Sequence, residues 1–153
     1  MESPLTAEAL DAWRSMLFAS SHVVQALGTD LEEQHGLPIT WFDVLGRLRR
    51  APEGRLRMHE LEEQSVFTRS GITRLADRIE NAGLIERVRS SSDRRGVYLR
   101  ITDAGISKLD EVWPDHLQSI WRHFARHLDV SDLTALQRAA EKIGVAREES
   151  RQS

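Results

Sequence analysis

The sequence predicts a mainly α-helical fold built around one small helix–hairpin unit, on three observations. Long stretches carry apolar residues at three-, four- and seven-residue steps, the period of a helix with one buried face. A single region, Leu84–Arg89 with Val97–Ile101, reads as paired strands, and a polar loop ending in Asp93, Arg94 and Arg95 separates its halves. That hairpin follows directly on a helix-period segment dotted with Thr, Ser and Arg. A helix able to enter a groove, followed by a hairpin able to straddle a backbone, is the arrangement of a winged helix-turn-helix, here with long helices at both ends of the chain.

The elements follow in order. Thr6 is placed to cap a first helix running to about His35, with Leu10, Trp13, Leu17, Val24, Leu27 and Leu31 along one stripe. Gly36-Leu37-Pro38 ends it, and Thr40 is expected to cap a second helix, with Asp43 three positions on in the manner of a capping box. The Ala51-Pro52-Glu53-Gly54 turn stops that helix. Arg55–Arg57 reads as a very short strand, and Met58–Gln64 as a short helix burying Leu61. Thr68 caps a fourth helix to about Ala82, where Gly83 is the stop. Thr102 starts a fifth helix continuing to about Leu128, with a kink or break expected at Pro114. Ser131 is expected to cap a last helix over about 132–147, before a frayed tail.

Composition removes several classes of function. The chain has 153 residues and no cysteine, so it has no disulfide framework, no thiolate metal site and no thiol oxidant sensor. No apolar run approaches the roughly 18 residues of a membrane span, and the first residues carry an acid where a secretion signal carries positive charge. A cytoplasmic protein with no membrane partner is the expectation. The formal net charge of −3 divides unevenly: residues 47–100 hold thirteen arginines, no lysine and eight acids, which leaves +5 there and −8 elsewhere. Local potential, more than total charge, governs attraction to phosphate. Arginine also suits two-pronged recognition of phosphate and guanine, although a generally Arg-rich surface accounts for part of the excess.

In the fourth helix Ile72, Leu75, Ala76 and Ile79 form an apolar stripe. Opposite lie Ser70, Thr73, Arg74 and Asp77, with Arg78 on the flank and Thr68 and Arg69 at the N-terminus. Short hydroxyls let a helix sit deep in the major groove of duplex DNA, and arginine can fork to guanine. An ordinary solvated helix face is the competing account, and the neighbouring hairpin weighs against it. At the hairpin tip a guanidinium could enter a narrow minor groove. Asp93 there either positions an arginine or shapes the loop as an Asx-turn residue, and the two roles are compatible.

The run LPITWFDVL, RLRMHELEE, TRSGITRLADRIENAGLIER and DRRGVYLRITDAG, together with the two closing helices, resembles the MarR family of bacterial transcriptional regulators over nearly the whole chain. Its most specific elements are Asp93-Arg94-Arg95 and the Leu99–Gly105 run. The resemblance implies a homodimer with three parts: an N-terminal dimerisation helix (1–37), a winged helix-turn-helix lobe (38–101) and C-terminal dimerisation helices (102–153). It also implies a pseudo-palindromic operator of double-stranded DNA. Asp93 then orders the wing, Arg95 reaches the minor groove, and Thr68, Ser70, Thr73, Arg74 and Arg78 read or flank the major groove. The expected outcome is repression, relieved by a small aromatic or phenolic ligand.

Candidate ligand-lining residues are Trp13, Met16, Phe18, Trp41 and Phe42, with Arg14, His22 or His59 as polar partners. Each aromatic weighs more heavily as core. His116, His123 and His127 share a helical face if the fifth helix runs on, but no acidic or thiolate partner stands beside them, so no metal and no cofactor are expected. An enzyme is not expected either: no nucleophile–base set, phosphate loop or carboxylate pair is visible, and His59-Glu60 lacks a second histidine. A protein-interaction module that has lost DNA binding is the rival from another class, and the retained arginines of helix and hairpin argue against it.

Overall fold

The structure is a computed structural model that describes residues 5–64, 69–89 and 96–152, the side chains at 64, 69–70 and 145–152 excepted. Six helices and a three-stranded sheet follow one another as α1 (Ala7–His35), α2 (Ile39–Arg50), β1 (Arg55–Arg57), α3 (Met58–Gln64), α4 (Arg69–Asn81), β2 (Ile85–Arg89), β3 (Val97–Ile101), α5 (Asp103–His123) and α6 (Val130–Gln152). The chain is a mainly α winged helix-turn-helix, as expected. It divides into two compact units, residues 27–116 and the two end segments 1–26 and 117–153.

In the unit of residues 27–116 the sheet order is β1-β3-β2, antiparallel throughout, with β3 in the centre. Leu99 pairs with Leu56 on one side and Arg87 on the other. Leu56, Ile85, Leu99 and Ile101 of the sheet share a core with Val44, Leu45 and Leu48 of α2, Leu61 of α3, Ile72, Ala76 and Ile79 of α4, and Leu109 of α5. Each Leu, Ile or Val among them contributes about 1.5–3 kcal/mol when withdrawn from water. A smaller cluster of Leu31, Leu37 and Val112, flanked by Ile39, Trp41 and Phe42, completes the unit.

Helix ends depart from expectation in four places. Thr6 caps α1 as expected, its Oγ1 accepting from the Ala9 N–H at 3.2 Å. Thr40 does not cap α2, which already begins at Ile39 behind Pro38. Proline is locked in extended backbone with ψ 138°, and its carbonyl accepts from the Trp41 and Phe42 N–H groups, so the turn needs no side-chain cap. Asp43 is free to accept from Arg47 Nε instead, at 2.8 Å. Pro114 does not break α5, which runs through it to His123. Burial of Leu109 and Val112 just before the proline and of His116 just after it holds that face to the protein interior and offsets the missing hydrogen bond.

The fifth helix then gives way at Phe124 to a single 3₁₀ turn, Ala125–His127, short of Leu128. Ser131 does not cap α6. Asp129 Oδ1 accepts from the Asp132 N–H at 2.9 Å while Asp132 Oδ2 accepts from the Asp129 N–H at 3.1 Å. This reciprocal box starts the helix at Val130, and the backbone helix continues to Gln152, past the expected end.

One joint ties α4, β2, β3 and α5 together. After α4 the chain turns at Gly83 (φ +77°), with Gly83 N–H donating to the Glu80 carbonyl and Leu84 N–H to that of Ile79. Thr102, at the end of β3, donates its hydroxyl to the Gly83 carbonyl at 2.7 Å and its N–H to the Leu84 carbonyl at 3.1 Å. The same hydroxyl caps α5 by accepting from the Gly105 N–H at 3.1 Å. Gly105 leaves no room for more: a Cβ there would lie 2.3 Å from the Leu84 carbonyl oxygen, a backbone atom. Gly105→Ala should therefore destabilise the fold by about 1–3 kcal/mol, read as a lower urea midpoint with an unchanged slope.

Candidate nucleic-acid interface

The exposed face of α4 is the structural centre of the candidate site. Ile72, Ala76 and Ile79 are each at most 1% exposed, and this anchoring leaves Thr73, Arg74, Asp77 and Arg78 facing solvent. Of the nine residues expected to touch DNA, Thr73, Arg74 and Arg78 thus lie on one exposed helix face. Arg69 and Ser70 belong to the first turn of the same helix. Thr68 and the hairpin-tip residues Asp93, Arg94 and Arg95 lie outside the described residues.

The positive excess of residues 47–100 is largely spoken for. Arg47 is held by Asp43, Arg49 by Asp110 at 2.5 Å, Arg55 by Glu53 at 2.5 Å, Arg100 by Glu86 at 2.7 Å and Arg87 by Asp77 and Glu80. Among the described residues no carboxylate holds Arg74, Arg78, Arg89 or Arg50, so the charge available to phosphate lies on α4, at the outer end of β2 and at the end of α2. Counting charges along the sequence overlooked these pairings, because partners such as Arg49 and Asp110 stand 61 residues apart.

Four further residues, Arg87, Arg55, Arg57 and Tyr98, make contacts that local sequence patterns do not give. Arg87 bridges β2 to α4 through Asp77 Oδ1 at 2.5 Å and through Glu80. Partial burial lowers the pKa of its guanidinium, and the Asp77 hydrogen bond with the charges of Glu80 and Asp77 more than offsets this. Arg55 and Arg57 both stand over the ring of Tyr98, at 4.8 and 5.1 Å, and Arg57 Nε donates to the Tyr98 hydroxyl at 3.2 Å. The strand pairing of β1 with β3 brings these three side chains together.

The ligand candidates divide between the units. Trp13, Met16 and Phe18, in the unit made by the chain ends, are 52%, 46% and 77% exposed, so they are not core of this chain as it stands alone. There Phe18 stacks on His22 and Arg14 pairs with Asp11. Trp41 and Phe42, in the other unit, are half-buried against the core, and His59 is exposed. A cavity of about 330 Å³ lies between α2 and α5 within this unit, lined by Phe42, Asp43, Gly46, Arg49, Arg50, Leu109, Asp110 and Trp113. It contains one of the expected ligand residues, Phe42.

The three histidines do not form a helical row. His127 sits in the 3₁₀ turn after α5, its ring near the Arg122 carbonyl, while His123 is the last residue of the helix. Among the described residues no group of three His, Cys, Asp or Glu is arranged to hold a metal ion. His116 is buried with its ring 4.3 Å from that of Phe42, and its Nδ1 has no hydrogen-bond partner.

These features define a winged helix-turn-helix protein with a polar, arginine-bearing reading helix. A model of the MarR family matches residues 35–96. The crystal structure of AbsC, a MarR family transcriptional regulator from Streptomyces coelicolor, is 31% identical and superimposes with a TM-score of 0.83, covering 99% of this chain and 100% of that one. Sco3205 from the same organism, a MarR family transcriptional regulator solved in complex with DNA, is 28% identical with a TM-score of 0.82, over 94% and 90% of the two chains. The transcriptional repressor MdtR of Bacillus subtilis is 37% identical over 82 residues, 54% of this chain and 51% of that protein. The chain spans about three-fifths or less of the length of the curated relatives it matches. The chain belongs to the MarR family. No helix among the described residues is long and apolar enough to cross a membrane.

Burial pushes the His116 pKa below the ordinary 6.5, so the folded protein binds that proton less readily than the unfolded chain. Stability from this residue is therefore complete above about pH 6.5 and falls as pH drops below it, because the unfolded state gains a proton that the folded state resists. Thermal melts from pH 8 to pH 5 should show a steeper loss for wild type than for His116→Phe. Parallel curves for the two proteins would contradict this account.

Proposed function

We propose that the chain is a transcriptional repressor that binds a pseudo-palindromic operator as a homodimer and is released by a small aromatic or phenolic anion. The observation that carries the DNA-binding reading is the fourth helix: Ile72, Ala76 and Ile79 of its apolar stripe are buried, Thr73, Arg74 and Arg78 face outward, and no carboxylate among the described residues holds Arg74 or Arg78. Likeness to a family member solved on DNA supports the same reading. Thr68, Arg69, Ser70, Thr73, Arg74 and Arg78 then serve the major groove and its flanking phosphates, while Arg95 reaches the minor groove from a wing that carries Arg94 and is ordered by Asp93.

Dimer formation accounts for the apolar side chains left open at the chain ends. Trp13, Leu17 and Val24 along α1, Leu117 and Trp121 on α5, and Leu136 and Ile143 on α6 are all between 45% and 62% exposed. A soluble protein rarely leaves so many large apolar groups to water unless another surface covers them. Two reading helices about 34–36 Å apart would then meet successive major grooves, and a ligand acts by favouring another spacing.

The cavity between α2 and α5 supports the ligand reading in revised form. It offers Phe42 and Trp113 as walls and Arg50 for a carboxylate, beside an Arg49 that Asp110 already holds, in place of the expected Trp13, Met16, Phe18, Trp41 and His59. Benzoate or 4-hydroxybenzoate should raise the melting temperature and weaken DNA binding together. No shift across a panel of phenolic acids would overturn the effector reading and leave DNA binding standing.

Fluorescence anisotropy against a duplex selected from a random pool, with a scrambled control, tests the central proposal. Arg74→Ala should relax base discrimination by about 1–3 kcal/mol at one position of each half-site. Arg95→Ala should weaken binding mainly to operators with A·T-rich flanks. Equal, sequence-blind losses from both variants would refute that division of labour. Binding that is steep in salt yet indifferent to sequence would reduce the site to a basic surface.

A further inference from the structure

We propose that Arg87 is a positioning residue of the DNA-reading face, holding Asp77 and Glu80 so that the acid at the centre of that face does not confront phosphate. The inference rests on the DNA-binding reading of α4. Asp77 comes four residues after Thr73 and three after Arg74, which puts it between them on the helix surface. Glu80 follows three residues later and borders the same face. A bare carboxylate in this position repels the DNA backbone or, in the groove, accepts from a cytosine amine, and either effect would bias the helix.

The structure removes that carboxylate from play. Arg87 reaches over from β2 and donates to Asp77 Oδ1 at 2.5 Å and to Glu80, and its own N–H donates to Glu80 Oε1 at 3.0 Å. The strand supporting it is secured by Ile85, 1% exposed, and by the Arg87–Leu99 register. With both carboxylates engaged at the surface, Arg87 directs these donors to Asp77 and Glu80, and in this proposal it acts on DNA through them. The remaining charge on that helix face belongs to Arg74 and Arg78.

A double-mutant cycle separates this role from bracing and from direct contact. Wild-type protein first selects a duplex from a random-sequence pool. Failure to enrich any sequence overturns the DNA-binding reading, and this inference with it, whereas the following arms bear on the inference alone. Arg87→Ala should bind the selected duplex about tenfold more weakly, the scale of one like-charge contact at a protein–water boundary, with an unchanged salt slope. Asp77→Asn/Glu80→Gln should stay within about threefold of wild type, and adding Arg87→Ala to that pair should cause no further loss. If the triple variant binds as weakly as Arg87→Ala, Arg87 acts by bracing alone and the proposal fails. A salt slope lower by about one for Arg87→Ala would mark a direct phosphate contact and also overturn it. Should Arg87→Ala fail to melt cooperatively, Arg87→Met, which keeps the apolar stem, enters the cycle in its place.

Discussion

Burial of a single stripe of the fourth helix underlies the rest of the unit of residues 27–116. Ile72, Ala76 and Ile79 lie in one core with Leu45 and Leu48 of the second helix, Leu61 of the third, and Ile85 and Leu99 of the sheet. Because successive helix residues turn by about 100°, sinking those three side chains leaves Thr73, Arg74, Asp77 and Arg78 no direction but outward. The orientation of the polar face is thus a consequence of apolar packing. Rotating the helix to hide the arginines would expose the two large aliphatic side chains of Ile72 and Ile79, each costing roughly 1.5–3 kcal/mol.

Around that anchored helix the structure spends its polar interactions on junctions. Thr102 serves three elements at once, satisfying the carbonyls of Gly83 and Leu84 and capping the fifth helix. Gly105 is what lets the fifth helix approach the Leu84 carbonyl so closely. The reading helix, both hairpin strands and the fifth helix therefore meet at one hydrogen-bonded point. A displacement of any one of them is felt by the others, because none of these backbone groups can lose its partner without cost.

The electrostatics follow the same economy. An excess of arginine in the middle of the sequence suggests a broadly positive surface, yet the guanidiniums of Arg47, Arg49, Arg55, Arg87 and Arg100 are held by carboxylates. Among the described residues Arg74 and Arg78 on the fourth helix, Arg89 at the outer end of β2 and Arg50 at the end of the second helix have no carboxylate partner. A focused charge of this kind suits a protein whose overall balance is acidic, since it attracts phosphate to one face without making the whole molecule cling to nucleic acid.

Period, caps and turn residues determined most of the secondary structure on their own. The apolar steps of the helices, the alternation of Leu99 and Ile101 with Arg100, and the Thr6, Gly83 and Thr102 signals are local, and local rules read them correctly. The outward Thr73–Arg74–Arg78 face was legible for the same reason, and the family from the resemblance of the Asp93-Arg94-Arg95 and Leu99–Gly105 motifs. Tertiary structure decided what depends on partners far away in the chain. Pro114 stays inside a helix because buried neighbours on either side hold it there, and Thr40 yields to Pro38 as Leu37 sinks into the core. Asp77 reads locally as one more polar residue of an exposed face. Its pairing with Arg87 exists only because the turn at Gly83 lays β2 alongside the helix, and no periodicity in the sequence encodes a contact made by that return of the chain.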